Sequence, residues 1–340
     1  MSQHSTTDTS SSAAPAGYDA ARHGIGLIDR RERGRIVVSG RDRAAYLQGL
    51  LTNDIAALKA GEGCYSAYLT AQGRMISDLW VHELGDVILL ILPLTTKDAV
   101  LTRLDQFIFS EDVQLGDVTA TFASIAVAGP QATDVVTAAL EGLARDALPT
   151  APVIGNVRAS FANEPAIVVS LDDAGVPGFE VLVPAAHYDA IHRSLQSAGG
   201  IDVAPEAADA LRIEAGIAAF HRDMDEETIP LEAGIESRAI SLTKGCYVGQ
   251  EVIIRVLHRG HGRVAKKLVG LVLNGTAVPA AAATISAAGR DVGRVTSPAW
   301  SPALQRPIAL GYVHRDFTEP GTTVDVANTT AIVTVLPFAG

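Results

Sequence analysis

Residues 242–260, LTKGCYVGQEVIIRVLHRG, mark the point at which the sequence changes character. Before them, helical and strand-like patterns follow one another along the chain. After Val264, strand-like runs are separated by Gly, Pro and Asn turns, and no helical period occurs. This pattern is typical of a small all-β barrel or sandwich. We therefore predict a domain boundary at residues 260–263 and a C-terminal β domain over residues 261–340.

The part of the chain that precedes this boundary mixes both kinds of element. Residues 64–93 contain three strand-like runs separated by the turn signals AQG and LGD, and helical patterns follow at residues 95–108 and 205–216. Antiparallel hairpins among helices favour α+β layers over a regular doubly wound sheet. Residues 1–17 are rich in Ser, Thr and Ala and lack a basic or apolar signal region, so we expect a disordered tail there.

Composition narrows the class of protein. The 340 residues carry a formal net charge of −11 and have a pI near 5.3. Non-specific nucleic-acid binding depends on many basic contacts, so this charge argues against direct, stable binding of nucleic acid. No apolar run approaches the ~20 residues that a transmembrane helix needs. Two cysteines, Cys64 and Cys246, cannot form a metal site by themselves. The simplest expectation is a cytoplasmic protein with no membrane span.

Asp78 lies in the strand-like run RMISDLWVHEL. Strand alternation places Asp78 on one face with Ile76 and Trp80, and gives the other face to Met75 and Leu79, so that both faces look buried. A buried carboxylate is costly unless it is paired, hydrogen-bonded or protonated. Two interpretations remain open: a structural aspartate satisfied by backbone amides or an arginine, and a desolvated carboxylate that handles protons or binds a ligand rich in N–H groups.

Two further patterns contain charged residues among apolar ones. Glu180 lies in the strand-like run GFEVLVP, on the face opposite Phe179 and Val181. A lone glutamate on a half-buried strand usually faces solvent, and a ligand role stays open beside that reading. Arg212 and Glu214 are two positions apart in a helical pattern, so they do not share a helix face and should not bond to each other. At least one of them is expected to contact another group.

A basic cluster follows the opening stretch. Residues 252–290 contain no acidic residue, and five cations lie early in this segment: Arg255, Arg259, Arg263, Lys266 and Lys267. Cations near a helix C-terminus are favourable, which is one explanation of the cluster. The other is a docking site for a polycarboxylate or phosphate tail.

The opening stretch also carries a thiol in a suggestive setting. Ile253, Val256 and Leu257 recur at helical spacing, which predicts a helix from about residue 249 to residue 260. Cys246 would lie just before the N-terminus of this helix and near the positive charge of Lys244, and both effects favour the thiolate form. A buried, inert cysteine is the common alternative. The residues alone do not decide between the two.

The octapeptide KGCYVGQE resembles the signature of the YgfZ family, folate-binding proteins related to the glycine-cleavage T-protein, an aminomethyltransferase. Six other motifs look like their counterparts in the same order: YLQGLLTNDI, GRMISDLWV, GFEVLVP, LRIEAG, IPLEAG and VGRVTSP…IALGYV. The resemblance covers residues 24–338, almost the whole chain.

The resemblance implies an α+β fold of three domains arranged as a cloverleaf around a central folate pocket. Two ferredoxin-like α+β domains, interleaved in sequence, would occupy residues 18–260, and a β-barrel would occupy residues 261–340. The implied cofactor is tetrahydrofolate or a one-carbon derivative. By position, Asp78 would contact the pterin and position the folate nitrogens, Glu180 would hydrogen-bond to the pterin ring, and Arg212 would line the pocket.

The signature residues receive roles in the same way. The resemblance places Lys244 and Cys246 near the mouth of the pocket and implies that Lys244 and Gln250 also bind the cofactor. Catalytic roles would belong to Cys246, aided by Lys244, and to Asp78. The chain departs from T-proteins in carrying Ser77 before Asp78, where they usually have two adjacent aspartates. T-proteins also lack the block that contains Cys246.

The implied function is a tetrahydrofolate-binding accessory protein for the assembly or repair of iron–sulfur clusters, with indirect effects on tRNA thio-modification. Its partners would be client iron–sulfur proteins or cluster-assembly factors. The alternative is a folate-dependent aminomethyltransferase or methyltransferase of the T-protein type, with Asp78 as the catalytic carboxylate. The resemblance therefore leaves open whether the chain is an enzyme, and it implies no metal.

Overall fold

Three groups of strands organise the chain. The structure, a computed structural model, describes residues 14–150, 152–259 and 262–338. The strands are β1 (Gly26–Asp29), β2 (Arg33–Ser39), β3 (Gly63–Leu69), β4 (Met75–Glu83), β5 (Ile88–Pro93), β6 (Gln114–Asp117), β7 (Phe122–Ala128), β8 (Asn156–Phe161), β9 (Glu164–Ser170), β10 (Gly178–Pro184), β11 (Ile201–Asp202), β12 (Lys266–Leu273), β13 (Thr284–Ala287), β14 (Arg290–Ser301), β15 (Arg306–His314), β16 (Thr323–Val326) and β17 (Thr329–Thr334). The helices are α1 (Tyr18–His23), α2 (Arg43–Gln48), α3 (Leu94–Asp105), α4 (Ala132–Ala139), α5 (Tyr188–Ser197), α6 (Pro205–Glu214), α7 (Pro230–Ala233), α8 (Glu236–Ala239) and α9 (Gln250–Ile254).

The first sheet has the strand order β11-β1-β7-β10-β9-β8. Its strand β1 comes from the start of the chain and pairs antiparallel with β7 and parallel with β11. The sheet is therefore assembled from segments that lie on both sides of the second sheet in sequence. Helices α4 and α5 cover its outer face, where Val136 and Ile191 pack against Val127 and Val181.

The second sheet has the order β3-β4-β5-β2-β6, and its first three strands form the meander that the turn signals predict. Helices α2 and α3 cover the outer face, with Leu47 and Val100 against Leu79. On the inner face, Trp80 belongs to the same apolar cluster as Leu182 of the first sheet. The inner faces of the two sheets thus meet, and every residue of β4 is buried.

A bulge between β3 and β4 changes which residues share a face with Asp78. Ser77 pairs with Tyr68 and Met75 pairs with Leu69, so the register shifts between them. As a result, Ile76 packs in the outer-face cluster, and Met75 packs in the inner-face cluster that contains Trp80. The predicted alternation was wrong at these two positions, because an extra residue in one strand reverses the faces beyond it.

The C-terminal strands close into a six-stranded barrel of order β12-β15-β14-β13-β16-β17. Its interior is filled by small and branched apolar residues, and α6 docks on its outside through Ile213, which packs with Leu268 and Ile308. The predicted α+β class with two sheet domains and a C-terminal barrel is confirmed. Of the tail predicted over residues 1–17, residues 1–13 lie outside the described residues. In the described ranges, no helix is long and apolar enough to cross a membrane.

Candidate functional site

A cavity of about 750 Å³ opens where the two sheets meet α6 and the loop that follows it. Its wall is built from the β1–β2 connection, the middle of β4, the start of α3, the β9–β10 loop, α6 and residues 217–222. A volume of this size suits a small-molecule ligand. Within the described ranges, no group of three or more His, Cys, Asp or Glu side chains is arranged to hold a metal ion.

Asp78 lies on this wall and is held there by burial and one hydrogen bond. It is 3% exposed, and the hydroxyl of Tyr65 on the neighbouring strand donates to its Oδ2 at 2.8 Å. The other oxygen, Oδ1, is buried and has no hydrogen-bond partner among the described residues. Burial raises the pKa of Asp78, opposed by the Tyr65 hydrogen bond and the charge of Arg33. An unpartnered buried acceptor on a cavity wall can receive a hydrogen bond from a ligand.

Two arginines that sequence analysis did not identify lie beside Asp78. Arg33 extends over the ring of Trp80, with its guanidinium carbon 4.9 Å from the ring centroid, and it forms an ion pair with Asp173. Arg30 binds the second oxygen of Asp173. Burial alone would raise the pKa of Asp173, but the two guanidinium groups hold it below its usual value. The run RRERGR, which covers the β1–β2 connection and the start of β2, is the sequence signal for these cations, and only the fold brings it to Asp173.

Glu180 lies between the two sheets rather than in solvent. It is 4% exposed, accepts a hydrogen bond from the Ser124 hydroxyl at 2.6 Å, and has Oε2 3.6 Å from Nε of Arg30. The space it borders is a smaller gap between the sheets. Arg33 and Asp173 line both this gap and the central cavity, so Glu180 lies directly behind the cavity wall. The solvent-facing interpretation is wrong, because the second sheet covers this face.

Arg212 reaches the cavity from α6, but its guanidinium is already engaged. Nε donates to Asp209 at 2.7 Å, Nη1 to Asp223 at 2.8 Å, and Nη2 to Ser297 at 2.8 Å. These bonds tie α6 to the loop that closes the cavity and to the barrel. Glu214 makes its contacts elsewhere, with Tyr18 and Ser301, so the predicted absence of an Arg212–Glu214 bond is confirmed.

Lys244 anchors a loop. Its buried ammonium donates to the carbonyl oxygens of Gln48 at 2.6 Å, Leu51 at 2.6 Å and Asn53 at 2.8 Å, at and beyond the end of α2. A cation at a helix C-terminus satisfies carbonyl groups that the helix leaves free. Burial lowers the pKa of Lys244 to about 8. In this position the side chain fixes the connection between α2 and β3.

Cys246 and Gln250 flank the turn that leads into α9. Cys246 is exposed, so the interpretation of this residue as a buried, inert cysteine is wrong. Gly249 adopts a φ of +85°, which favours glycine, and the helix begins at Gln250 and continues as a π-helical turn to residue 259. The predicted helix is confirmed as far as the described residues extend. The described residues that line the central cavity do not include Lys244, Cys246 or Gln250.

Comparison with known proteins gives a family for both parts of the chain. Residues 3–244 match the model of the GCVT N-terminal domain, and residues 266–338 match that of the glycine cleavage T-protein C-terminal barrel domain. An aminomethyltransferase of Rubrobacter xylanophilus is 32% identical over 95% of this chain and 85% of its own length. A putative chloroplastic transferase of Arabidopsis thaliana is 30% identical over 94% of this chain and 72% of its own length.

The fold has a solved counterpart. The crystal structure of glycine cleavage system aminomethyltransferase T from Bartonella henselae matches with a TM-score of 0.85, covering 95% of this chain and 88% of that one, at 24% identity. At this identity the likeness concerns the fold alone. The two domain models account for the sheet domains and for the barrel that α6 docks against. The chain belongs to the glycine cleavage T-protein family.

Proposed function

We propose that this protein binds tetrahydrofolate, or a one-carbon derivative of it, in the central cavity with Asp78 as the anchoring carboxylate. The observation that carries the proposal is that Asp78 lines a cavity of about 750 Å³ and has a buried oxygen, Oδ1, for which the described ranges supply no hydrogen-bond partner. A pterin carries several N–H groups on one flat edge, and a carboxylate is a strong acceptor for them. Membership of a family whose proteins bind tetrahydrofolate supports the same assignment.

The surrounding residues have complementary roles in this proposal. Trp80 supplies an apolar part of the cavity wall, and Arg33 covers one face of its ring. Glu180 and Arg30 form a buried ion pair behind this part of the wall. Burial raises the pKa of Asp78 above its ordinary value, which favours exchange of a proton between this carboxyl group and a neighbouring amine. Tetrahydrofolate would supply the amine nitrogens that carry a one-carbon unit.

Calorimetric titration with tetrahydrofolate tests the proposal. Wild-type protein should bind, and Asp78→Asn should bind at least about tenfold more weakly, as expected for the loss of one charge-assisted hydrogen bond. The matched control is Asp19→Asn, the same change at an exposed position on α1, which should bind like wild type. No binding by the wild type would contradict the whole proposal. Equal binding by Asp78→Asn would remove Asp78 from it.

Two functions are compatible with a bound folate. We favour an accessory protein for iron–sulfur cluster assembly or repair, acting on client iron–sulfur proteins or assembly factors, with tRNA thio-modification affected indirectly. This rests on the resemblance of KGCYVGQE to the YgfZ signature and is supported by the exposure of Cys246 on a segment that Lys244 and Gly249 hold in place. The second function, aminomethyl transfer, is favoured by the names of the relatives and by Asp78 itself.

Two measurements separate these functions. Formation of methylene-tetrahydrofolate from an aminomethyl donor is expected of an aminomethyltransferase and not of an accessory protein. In a strain that lacks this protein, Cys246→Ala should retain folate binding yet fail to restore the activity of iron–sulfur enzymes. Full restoration by that variant would contradict a role for the thiol.

A further inference from the structure

A second cavity, of about 580 Å³, lies between the outside of the barrel and the segment around α7. The described residues that line it are all different from those that line the central cavity. Its wall carries an unusual share of ionisable side chains: Arg74, Glu227, Glu232, Lys266, Arg294 and His314. Such a polar recess between two structural units needs a chemical explanation of its own.

The barrel side of the cavity is a row of three side chains on adjacent strands. Tyr312 on β15 pairs with Leu268 on β12 and with Arg294 on β14. The ammonium of Lys266, two residues before Leu268 and therefore on the same face, lies 4.7 Å from the centroid of the Tyr312 ring. The row thus presents an ammonium, a phenol and a guanidinium side by side to the cavity.

The Tyr312 hydroxyl is buried beside Thr228. The residue is 4% exposed, and its oxygen makes no hydrogen bond of normal geometry with any described residue. The hydroxyl of Thr228 nearby donates to Asp225 at 2.7 Å instead. A buried hydroxyl without a partner is rare, because it forfeits the hydrogen bonds it had with water.

Glu232 of α7, on the opposite wall, is also incompletely satisfied. Its Oε2 is buried and has no hydrogen-bond partner within the part of the chain that the structure describes. Burial raises the pKa of Glu232, while Lys266 and Arg74 act in the opposite direction. Neither cation comes within the 4.0 Å of an ion pair with Glu232 in the described part of the chain. Glu232 and Lys266 therefore both line the cavity without forming an ion pair with each other in the described part of the chain.

The remaining charges of the wall are already paired. Arg74 lies 3.4 Å from Glu227, Arg294 lies 3.8 Å from Asp225, and His314 lies 3.5 Å from Asp316. Lys266 forms no ion pair with a residue of the described ranges. The groups left for a ligand are one cation, one carboxylate oxygen and one phenol.

We propose that this cavity binds a small zwitterion, an α-amino acid, whose carboxylate lies on Lys266 and whose ammonium is held by Glu232 and Tyr312. A molecule with both charges satisfies the cation and the carboxylate at once, whereas a simple anion leaves Glu232 unpaired and a simple amine leaves Lys266 unpaired. The assignment is independent of folate binding, since it uses none of the residues of the central cavity.

The experiment is saturation-transfer NMR on the full chain with a mixture of the twenty L-amino acids as probe, followed by calorimetry with any that respond. At least one should bind, and Lys266→Met and Glu232→Gln should each weaken it about tenfold or more, as for the loss of one charge-assisted hydrogen bond. Lys267→Met is the matched control, because Lys267 is exposed and does not line this cavity. Tyr312→Phe removes only the hydroxyl and supplies a second variant should Glu232→Gln fail to fold.

Three results would overturn the proposal: no saturation transfer to any amino acid at millimolar concentration, equal binding by wild type and Lys266→Met, or binding of acetate as tight as that of glycine. Asp78→Asn distinguishes this site from the central one. It should weaken the binding of tetrahydrofolate and leave the amino-acid signal unchanged, and a signal lost in Asp78→Asn would place the amino acid in the central cavity instead.

Discussion

The hydroxyl of Tyr65 donates a hydrogen bond to Oδ2 of Asp78 at 2.8 Å, while Oδ1 of the same carboxylate is buried and has no partner in residues 14–150, 152–259 and 262–338. One oxygen is thereby fixed, and the other is an unsatisfied acceptor of a residue that lines the cavity. A buried carboxylate that is only half satisfied costs stability in the free protein. Residues of this kind are typical of binding and catalytic sites, where a ligand completes the hydrogen bonding.

We predict that Asp78→Asn stabilises the protein by about 1 kcal/mol near neutral pH, because it removes a buried charge and keeps the shape. A carboxyl whose pKa is raised on folding contributes stability below its unfolded pKa and loses it as pH rises through the folded value. The difference in the free energy of unfolding between the variant and wild type should therefore decrease as the pH falls toward about 4. Urea unfolding across this range measures it, and a less stable variant at pH 7 would indicate that the carboxylate is fully paired.

Lys244→Met should destabilise the protein by about 2–4 kcal/mol, because three buried carbonyl oxygens lose their donor. Burial lowers the pKa of Lys244 to about 8 from 10.5, so between these values the unfolded chain binds more protons than the folded one. In that window the titration of Lys244 increases wild-type stability with pH, by at most about 1.4 kcal/mol per pH unit. Urea unfolding of both proteins at pH 7 to 10 tests this. If the difference in unfolding free energy between the two proteins does not change with pH, the hydrogen bonds to the three carbonyl groups keep Lys244 protonated.

Gly249→Ala should cost about 1–3 kcal/mol. The position has a φ of +85°, and an added Cβ would lie 2.5 Å from the carbonyl oxygen of Thr70. Gly245→Ala, four residues earlier in the same motif, is the matched control: an added Cβ there meets no atom within 4 Å. Its stability should change by less than about 0.5 kcal/mol. Thermal and urea unfolding of both variants measure the contrast, and equal effects would contradict the close packing at Gly249.

The two cysteines should differ in reactivity. Burial raises the pKa of the Cys64 thiol to about 12, whereas Cys246 is exposed. Iodoacetamide at pH 7.5 should therefore alkylate Cys246 in the folded protein and spare Cys64, since the thiolate is the reactive form. Mass spectrometry of the digested protein locates the label, and the same reaction in urea should modify both. Comparable labelling of Cys64 under native conditions would show that β3 opens readily.

Local patterns in the sequence predict most of the fold. The turn signals at residues 71–73 and 84–86 predict the β3–β4–β5 meander, and the loss of helical period after Val264 predicts the barrel. These predictions succeed because the periodicity of buried positions follows from local backbone geometry. The bulge beside Ile76 is the exception, because strand register depends on the partner strand and not on the strand itself.

Some features of the candidate site could likewise be predicted from the sequence, and others could not. The sequence by itself determined that Asp78 lies in a fully buried strand, that Arg212 and Glu214 point apart and that a thiol precedes a helix. Only the tertiary structure decided that Asp173 joins Arg30 and Arg33 beside Asp78, and that Lys244 binds carbonyl groups about 190 positions earlier. Ion pairs and buried hydrogen bonds of this kind join segments remote in the chain, and no local pattern records which partner a charge will meet.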